Sequence, residues 1–243
     1  CSYYSLTGPG LRRFQQAFQH VYSITNEEWS GSWCLVFLNQ LSPEMKQKVR
    51  EELKWLSFGS MAPGVMEHPR YTRHQLIPML QEWGALDDTI VMQTQPLEQK
   101  SPRALRLQVR ESWNLDELAF RYRRFLEQFR PLWRELQSND NLTPQECLLA
   151  RILLIHEYRK ILLRDPQLPD ELLPGDWEGR SAKQLCRNLY RKIYARAEQW
   201  LDENLENASG PLPSPNESFY KRFGGLRDTP QAGQLTPNES IVG

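Results

Sequence analysis

The sequence predicts an α+β fold in which a small ferredoxin-like βαββαβ unit precedes an all-α C-terminal bundle. Short apolar runs alternate with amphipathic helical patterns between Trp33 and Thr94, whereas the strong patterns between Leu115 and Leu205 are helical. From Asn207 onward the chain is rich in Pro, Gly and polar residues, which bury too little apolar surface to offset the entropy lost on ordering. We therefore expect a largely disordered tail over residues 207–243.

The ferredoxin-like unit is predicted from these patterns and from the residues that begin and end helices. Ser42 and Pro43 suit an N-cap and a first helical position, and Gly59 and Gly84 suit the ends of the two helices. The predicted elements are a buried strand at 33–38, a helix from 42 to 59, two short strands within 60–68, a helix over 73–83 and a strand over 89–94.

The C-terminal bundle has its clearest start signal at Thr143, where Thr-Pro-Gln-Glu forms a capping box with proline at the first helical position. Residues 147–155 are apolar nearly all round the helix, which predicts that this helix lies buried in the middle of the bundle. Further helices are predicted over 116–137 and 181–205. Before the bundle, Leu105, Leu107 and Val109 alternate with polar residues, a pattern that also allows one more strand.

The N-terminal residues predict the end of another domain. The chain begins with Cys1, and residues 3–7 combine β-formers with alternating polarity, as in a strand that belongs to an upstream domain. A helix over 9–22 follows, with Leu11, Phe14 and Phe18 on one stripe, and it is a candidate dimer contact or a plain docking helix. The predicted domains are 1–28 for the upstream remnant and linking helix, 29–110 for the ferredoxin-like domain, 111–206 for the helical domain and 207–243 for the tail.

Composition narrows the class of protein. Lys and Arg together number 30, as do Asp and Glu, so the formal net charge is zero, whereas a chain that held DNA alone should carry a basic excess. The four cysteines lack metal-ligand or redox spacing, which favours free thiols in a reducing compartment. No apolar run approaches the ~20 residues that span a bilayer, and no signal peptide pattern is present. We expect a cytoplasmic protein with no membrane partner.

Motifs of common catalytic sites are missing from the sequence. It contains no P-loop, no nucleophile elbow, no zinc-protease helix and no dinucleotide fingerprint. The four histidines are scattered, and adjacent acids such as Asp87 and Asp88 are typical of solvated surface. We predict no enzymatic activity, no metal ion and no cofactor.

Several stretches resemble the PaaX family of repressors of phenylacetic acid degradation. They include Trp-Ser-Gly-Ser-Trp at 29–33 and Trp-Leu-Ser-Phe-Gly-Ser-Met-Ala-Pro-Gly-Val at 55–65. The most specific stretch is His-Glu-Tyr-Arg-Lys-Ile-Leu-Leu-Arg-Asp-Pro-Gln-Leu-Pro at 156–169, which continues with Leu-Leu-Pro-Gly-Asp-Trp-Glu-Gly at 172–179. The resemblance covers residues 4–205.

This resemblance implies an N-terminal winged-helix DNA reader, a central ferredoxin-like domain and a helical C-terminal domain. It implies a homodimeric repressor of phenylacetate catabolic genes that releases operator DNA when phenylacetyl-coenzyme A binds. Residues 4–7 resemble the final strand of the winged helix, so we expect a fragment that lacks most of that domain and would reach operator DNA only through it. The alternatives are an acyl-coenzyme A-binding enzyme and a nucleic-acid processing protein on the same scaffold.

The second alternative arises because the central unit also resembles the CRISPR-associated ferredoxin-like nucleases. In those proteins a carboxylate at the end of the first strand binds metal. Asn39 and Gln40 occupy that place here, and a neutral amide is a poor anchor for a hard divalent cation. The scaffold resemblance therefore implies no nuclease chemistry.

The predicted effector site lies at the end of the capped helix. Arg159 and Arg164 could hold phosphate groups, and Trp177 in the next loop could wall an aryl group. The competing interpretation is an internal network, in which either arginine pairs with Asp165 or Asp176 and the neighbouring histidine is hydrogen-bonded in the core. The predicted site residues are His156, Tyr158, Arg159, Arg164, Asp165, Trp177 and Tyr190.

Overall fold

The computed structural model describes residues 28–95, 103–207 and 210–226, together with Thr7, Gly10, Phe18, Val21 and Tyr22. The chain forms two compact units, one over Thr25–Leu205 and the other from Cys1–Ile24 with Glu206–Gly243. The larger unit combines a four-stranded antiparallel sheet with long helices, which confirms the predicted α+β class.

The first part of the larger unit has the order βαββαβ. Its elements are β1 (Trp33–Phe37), α1 (Pro43–Trp55), β2 (Gly59–Ala62), β3 (Val65–His68), α2 (Arg73–Trp83) and β4 (Ile90–Thr94). The strand order is β2-β3-β1-β4, and each neighbouring pair is antiparallel. The predicted ferredoxin-like unit is confirmed.

Both helices of this unit cover one face of the sheet. Because side chains alternate along a strand, Cys34 and Val36 point to the same face of β1. Both are fully buried, and they share a core with Leu53 of α1 and Leu80 of α2. Burial also raises the pKa of the Cys34 thiol to about 11, so this cysteine is neutral at pH 7.

Helix α1 ends at Trp55, four residues before Gly59, the residue at which the sequence predicted its end. Ser57 has a left-handed backbone (φ 67°), and the N–H of Phe58 donates to the carbonyl of Leu53 at 2.9 Å, as in a Schellman motif. The prediction that Gly59 ends the helix is therefore wrong. Gly59 begins β2, where an added Cβ would lie 2.7 Å from the ring of Trp113, so glycine is needed there for close packing.

The segment with alternating leucines is a helix, α3 (Arg103–Ser112), and not the additional strand that the alternation allowed. Gln108 and Ser112 lie one helical turn apart and share a face. Gln108 Nε2 donates a hydrogen bond to the carbonyl oxygen of Met61 on the edge strand β2 at 3.1 Å, and Ser112 Oγ lies 3.2 Å from the carbonyl oxygen of Ser60 on the same strand. Helical spacing thus brings two polar side chains to the edge of the sheet, a long-range contact that the local alternation does not reveal.

The helical domain contains α4 (Leu115–Ser138), α5 (Pro144–Leu162) and α6 (Glu178–Asn204), with a short 3₁₀ turn at Asp170–Leu172. Helix α6 packs against both α4 and α5. The helices predicted over 116–137 and 181–205 are confirmed within the usual uncertainty of helix ends.

Helix α5 does not lie in the middle of the bundle, as its apolar pattern predicted. Leu154 is fully buried, whereas Leu149, Ile152 and Leu153 are 53%, 54% and 55% exposed. A helix that is apolar all round has no polar stripe to mark its solvent side. The pattern therefore could not indicate which side the bundle covers.

In the smaller unit, the described residues Gly10, Phe18, Val21 and Tyr22 are helical, as predicted. The ring centroids of Phe18 and Tyr22 lie 4.8 Å apart, which fits residues one turn apart. The rest of the predicted helix over 9–22, and the predicted strand over 3–7 apart from Thr7, lie outside the described residues.

Part of the predicted disordered tail has defined structure. The short strands β5 (Glu206–Asn207) and β6 (Gly210–Pro211) pair, and α7 (Glu217–Tyr220) follows. Phe219 and Phe223 are 8% and 3% exposed. The prediction of disorder is therefore wrong for residues 210–226, while 227–243 lie outside the described residues. Single aromatic residues bury large areas, and an average composition does not reveal them.

Candidate functional site

Three of the predicted site residues are buried in the helical domain, namely Tyr158, Trp177 and Tyr190. The ring of Tyr158 on α5 lies 5.4 Å from that of Phe125 on α4. Trp177 directly precedes α6, and its ring meets Tyr122 of α4 edge to face at 5.9 Å. These aromatic contacts join the three helices of the domain.

Asp165 lies just after α5 and binds the following loop to α4. The hydroxyl of Tyr122 donates a hydrogen bond to its carboxylate, and the backbone N–H of Gln167 donates another at 2.7 Å. Gln167 has a left-handed backbone (φ 49°). An aspartate that bonds the backbone two residues further on commonly stabilises such a turn.

Burial keeps the two phenols of this cluster, Tyr122 and Tyr158, neutral at pH 7. It raises the pKa of Tyr122 well above its usual value, and the charge of Asp165 raises it further. The pKa of Tyr158 is raised in the same way, first by burial and then by Cys186 and Asp165. A neutral phenol can donate, so Tyr122 serves as a hydrogen-bond donor to Asp165 at pH 7.

The basic residues of the predicted site lie on the surface. The side chain of His156 is 55% exposed, and its Nε2 lies 3.9 Å from a carboxylate oxygen of Glu157. Arg159 and Arg164 are exposed as well. The interpretation that placed His156 in the core is therefore wrong. The structure brings Tyr158, Trp177 and Asp165 together through Tyr122 and its neighbours on α4, buries Tyr190 on α6, and leaves the three basic residues on the surface.

Tyr122 is the member of the cluster that sequence reasoning missed. The sequence places it on the apolar stripe of α4, among residues expected only to fill the core. A buried tyrosine hydroxyl usually needs a hydrogen-bond partner. That need was the available signal, but the sequence did not indicate Asp165 as the partner.

Two depressions on the described surface lie elsewhere. One of about 320 Å³ lies where α3 meets α4, and Arg110 there donates from Nε to both carboxylate oxygens of Asp116 at 2.9 Å. A second, of about 180 Å³, lies beside Trp29 and Gln93. Neither is lined by any of the predicted site residues.

The described residues hold no group of three or more His, Cys, Asp or Glu side chains that could bind a metal ion. At the end of β1, Asn39 Oδ1 accepts a hydrogen bond from Lys46 Nζ at 3.4 Å, which places a positive charge where a nuclease would hold its cation. Within the same part of the chain, no helix has both the length and the apolar character needed to span a membrane.

Two family models match most of the larger unit. Residues 26–106 match the PaaX protein central Cas2-like domain, and residues 113–203 match the PaaX-like protein C-terminal domain. The chain belongs to the PaaX family. The two matches coincide with the ferredoxin-like and helical parts of the structure, which confirms the family that the sequence resembled.

Comparison with individual proteins agrees with this membership. The PaaX-family chain is 37% identical over 226 residues to the transcriptional repressor PaaX of Escherichia coli (strain K12), covering 93% of this chain and 72% of the relative. Among solved structures it resembles the uncharacterized protein Rv0674 from Mycobacterium tuberculosis, with a TM-score of 0.50, 17% identity, and coverage of 78% of this chain and 70% of that one. The latter likeness shows the fold alone. Membership of a repressor family supports a role in transcriptional repression rather than catalysis.

A buried acid of the Cas2-like domain holds helix α3, which connects the two regions matched by the family models. Glu67 of β3 is 2% exposed, and its carboxyl accepts hydrogen bonds from Ser112 Oγ at 2.5 Å and Gln108 Nε2 at 3.4 Å. Burial raises the pKa of Glu67, and these two hydrogen bonds oppose the rise. Because both donors lie on α3, the junction depends on polar contacts to Glu67 as well as on apolar packing.

Proposed function

We propose that this chain is the effector-sensing and dimerising part of a repressor of phenylacetate catabolic genes, and that phenylacetyl-coenzyme A releases the repressor from its operator. The observation that carries the proposal is the 37% identity to the E. coli repressor over 93% of this chain. A match of that length spans both domains rather than one motif. In this proposal an N-terminal winged helix contacts operator DNA in the cytoplasm, which fits the zero net charge of the present chain.

A binding site for the proposed effector needs cationic side chains for the phosphates and an apolar pocket, closed to water, for the phenyl ring. Arg159 and Arg164 are exposed near the end of α5, and guanidinium groups bind phosphate in a two-pronged geometry. Tyr158 and Trp177 supply the aromatic surroundings. Trp177 is only 6% exposed, so a phenyl ring could enter only when the loop before α6 moves.

That requirement supplies a route from binding to release of DNA. A ligand that binds only the moved arrangement increases its population at the expense of the closed one. If the moved arrangement disfavours the DNA-binding dimer, effector and operator oppose each other. A coupling free energy of about 1–3 kcal/mol is ordinary for such a system.

A homodimer is part of the same proposal, because palindromic operators match a twofold protein. The N-terminal helix was predicted as one candidate contact. Its described residue Phe18 packs on Tyr22 within the same unit, while Leu11 and Phe14 lie outside the described residues.

Calorimetric titration tests the sensing role directly, with coenzyme A and phenylacetate as separate comparison ligands. We expect Arg164→Ala to weaken phenylacetyl-coenzyme A binding about tenfold or more, since a lost charge-assisted hydrogen bond costs about 1.5–3 kcal/mol. We expect a similar loss from Trp177→Ala, because it removes the aromatic side chain proposed to contact the phenyl ring. Arg130→Ala, which removes another exposed arginine of the same domain, should bind like the parent.

Two results would contradict this proposal at different levels. If the parent binds but folded Arg164→Ala and Trp177→Ala bind equally well, the site is wrong, and the domain junction near Glu67 becomes the next candidate. If the parent does not bind phenylacetyl-coenzyme A at all, the sensing role itself is wrong. Arg164 is exposed, so its variant remains informative even if Trp177→Ala fails to fold.

A further inference from the structure

Residues 173–177, directly before α6, form the segment that carries Trp177, here called the Trp177 segment. Residues 174–176 are exposed, and Trp177 is the buried member of the segment. On its N-terminal side the segment is anchored by Leu172, which is 1% exposed in the 3₁₀ turn. A short stretch of exposed backbone with one buried side chain can open at a lower free energy than the core behind it.

One side chain of α6 holds this segment in place. Arg180 Nη1 donates hydrogen bonds to the carbonyl oxygens of Pro174 at 3.1 Å and Gly175 at 2.9 Å. Its Nε donates to the carboxylate of Asp170 in the 3₁₀ turn at 3.1 Å. A guanidinium presents five donors in a fixed plane, so this single arginine ties the turn and the Trp177 segment to the helix.

The ring of Trp177 lies against the first turn of α6, where Gly179 has no side chain. A Cβ added to Gly179 would lie 2.4 Å from Nε1 of Trp177 and 3.1 Å from the ring of Tyr122. Tyr122 meets the same indole edge to face. The closed position of Trp177 therefore depends on two features of α6, the hydrogen bonds of Arg180 and the missing side chain of Gly179.

We propose that Arg180 is a latch that keeps the Trp177 segment closed, and that it sets the affinity for phenylacetyl-coenzyme A without touching the ligand. The proposal rests on the effector site proposed above and names the residue that regulates it. A ligand that needs the moved segment binds with an apparent affinity that is reduced by the small population of that arrangement. Arg180 lowers this population, so it is a positioning residue rather than a ligand-binding one.

The sign of the effect separates a latch from a ligand. The phosphates of phenylacetyl-coenzyme A are negatively charged at pH 7, so removal of a guanidinium that contacts them would weaken binding. Removal of a latch has the opposite effect, because the moved arrangement becomes more populated. Arg164 and Arg180 are both exposed arginines of the same domain, and their alanine variants should therefore change the affinity in opposite directions.

Calorimetric titration with phenylacetyl-coenzyme A measures that sign. We expect Arg180→Ala to bind about three- to tenfold more tightly than the parent, as for the net loss of one hydrogen bond from the closed arrangement. Arg180→Lys keeps the charge but not the planar fork, so it should bind more tightly as well. Weaker binding by Arg180→Ala would identify Arg180 as a phosphate ligand, and either that result or unchanged binding in both variants overturns the latch.

Arg196 supplies the matched control, because it holds a different loop to the same helix. Its Nη1 donates to the carbonyl oxygen of Leu142 at 3.0 Å, and its Nη2 bonds the carboxylate of Asp140, in the loop before α5. Arg196→Ala removes the same charge from α6 and should bind the effector like the parent. An equal gain of affinity in Arg196→Ala would assign the effect to general loosening of the domain, against the proposal.

Hydrogen exchange measures the latch with no effector present. The N–H of Trp177 donates to the carbonyl of Pro174, and that of Leu173 to the carbonyl of Asp170, both at 3.2 Å. We expect peptides that cover residues 170–177 to exchange faster in both Arg180 variants than in the parent, while peptides from α4 keep the rates of the parent. Equal exchange at residues 170–177 would show that Arg180 does not hold the segment.

Gly179→Ala displaces the same segment without changing any charge. Its methyl group needs space that the edge of the Trp177 ring occupies, so we expect faster exchange at residues 170–177 and tighter effector binding. Ser181→Ala alters an exposed residue two positions further along α6 and should behave like the parent. Faster exchange with unchanged affinity in both Gly179→Ala and Arg180→Ala would mean that the segment does not control binding, and the proposal would be wrong.

Failure of the latch is distinguishable from failure of the proposed function. A parent chain that binds phenylacetyl-coenzyme A no less tightly than its Arg180 variants overturns the latch and leaves the sensing role. A parent chain that does not bind this ligand overturns the sensing role and the regulated affinity with it. The exchange comparison still decides, in either case, whether Arg180 holds the Trp177 segment closed.

Discussion

The Cas2-like domain and the C-terminal domain differ in how regularly burial follows the chain within an apolar segment. Along β1 the side chains alternate between faces, and the buried Cys34 and Val36 are separated by the less buried Leu35. On α5 the neighbours Leu153 and Leu154 are chemically identical, yet one is 55% exposed and the other is fully buried. The residues of β1 are all apolar as well, so its sequence does not mark the covered side either; strand geometry nevertheless places alternate residues on each face, whereas a helix that is apolar all round offers no comparable guide.

The largest effect that tests this contrast comes from those two leucines. We expect Leu154→Ala to lower the free energy of unfolding by about 2–5 kcal/mol, because it leaves a cavity in a packed core. Leu153→Ala should change it by less than about 0.5 kcal/mol, as for most surface positions. Urea unfolding at a protein concentration too low for self-association compares the two. Equal losses would show that the side of α5 bearing Leu153 is covered within a single copy.

A second test concerns the buried acid of the Cas2-like domain. Glu67 has a raised pKa in the folded protein, chiefly through burial, so the folded state binds its proton more tightly than the unfolded state does. The free energy of unfolding should therefore fall as pH rises above the usual carboxyl pKa of 4.5 and through the raised value. Glu67→Gln removes this dependence and keeps an acceptor for Ser112. We expect the variant to gain stability relative to the parent as pH rises.

Unfolding at pH values on both sides of that window checks the sign. Glu111→Gln is the matched control, because Glu111 is an exposed acid on the same helix as Ser112. It should leave the pH profile of the parent unchanged. A difference between the parent and Glu67→Gln that does not vary with pH would mean that Glu67 is not desolvated at the domain junction.

Local signals explain why most of the Cas2-like domain could be predicted. The turn at Gly64 and the end of α2 at Gly84 are each marked in the sequence by a glycine, and the structure has both glycines in left-handed conformations. Ser57 takes a similar conformation at the end of α1, where glycine is the usual residue. The role of Gly59 could not be predicted either, because its contact with Trp113 involves a distant part of the chain.

The candidate site was less predictable because it depends on distant contacts. Tyr122 and Asp165 are 43 residues apart, and only the packing of α4 beside the end of α5 brings them together. Helical spacing correctly grouped His156 with Arg159 on one face, but spacing does not tell whether a face meets the bundle or the solvent. For this reason the sequence could not indicate that the predicted aromatic residues are buried while the predicted basic residues are exposed.

The smallest expected change in the free energy of unfolding comes from removing the N-cap hydroxyl of one helix in each domain. The hydroxyl of Thr143 accepts from the N–H of Glu146 at 3.3 Å, and the Glu146 carboxylate accepts from the N–H of Thr143 at 2.8 Å. Ser42, at the start of α1, has only the first kind of bond, from the N–H of Met45 at 3.4 Å. We expect Thr143→Ala to cost about 1 kcal/mol and Ser42→Ala about 0.5 kcal/mol.

The same pair of variants has a second readout in the titration of Glu146. Hydrogen bonds from the backbone N–H and then from the hydroxyl of Thr143 lower the pKa of Glu146. Loss of the hydroxyl in Thr143→Ala should therefore raise this pKa toward its usual value, as measured by nuclear magnetic resonance. Ser42→Ala should leave the pKa of Glu146 unchanged, because Ser42 caps a different helix, α1, and bonds the N–H of Met45 there. An unchanged pKa in both variants, with equal losses of stability, would mean that the reciprocal bond adds nothing and that the two caps are energetically alike.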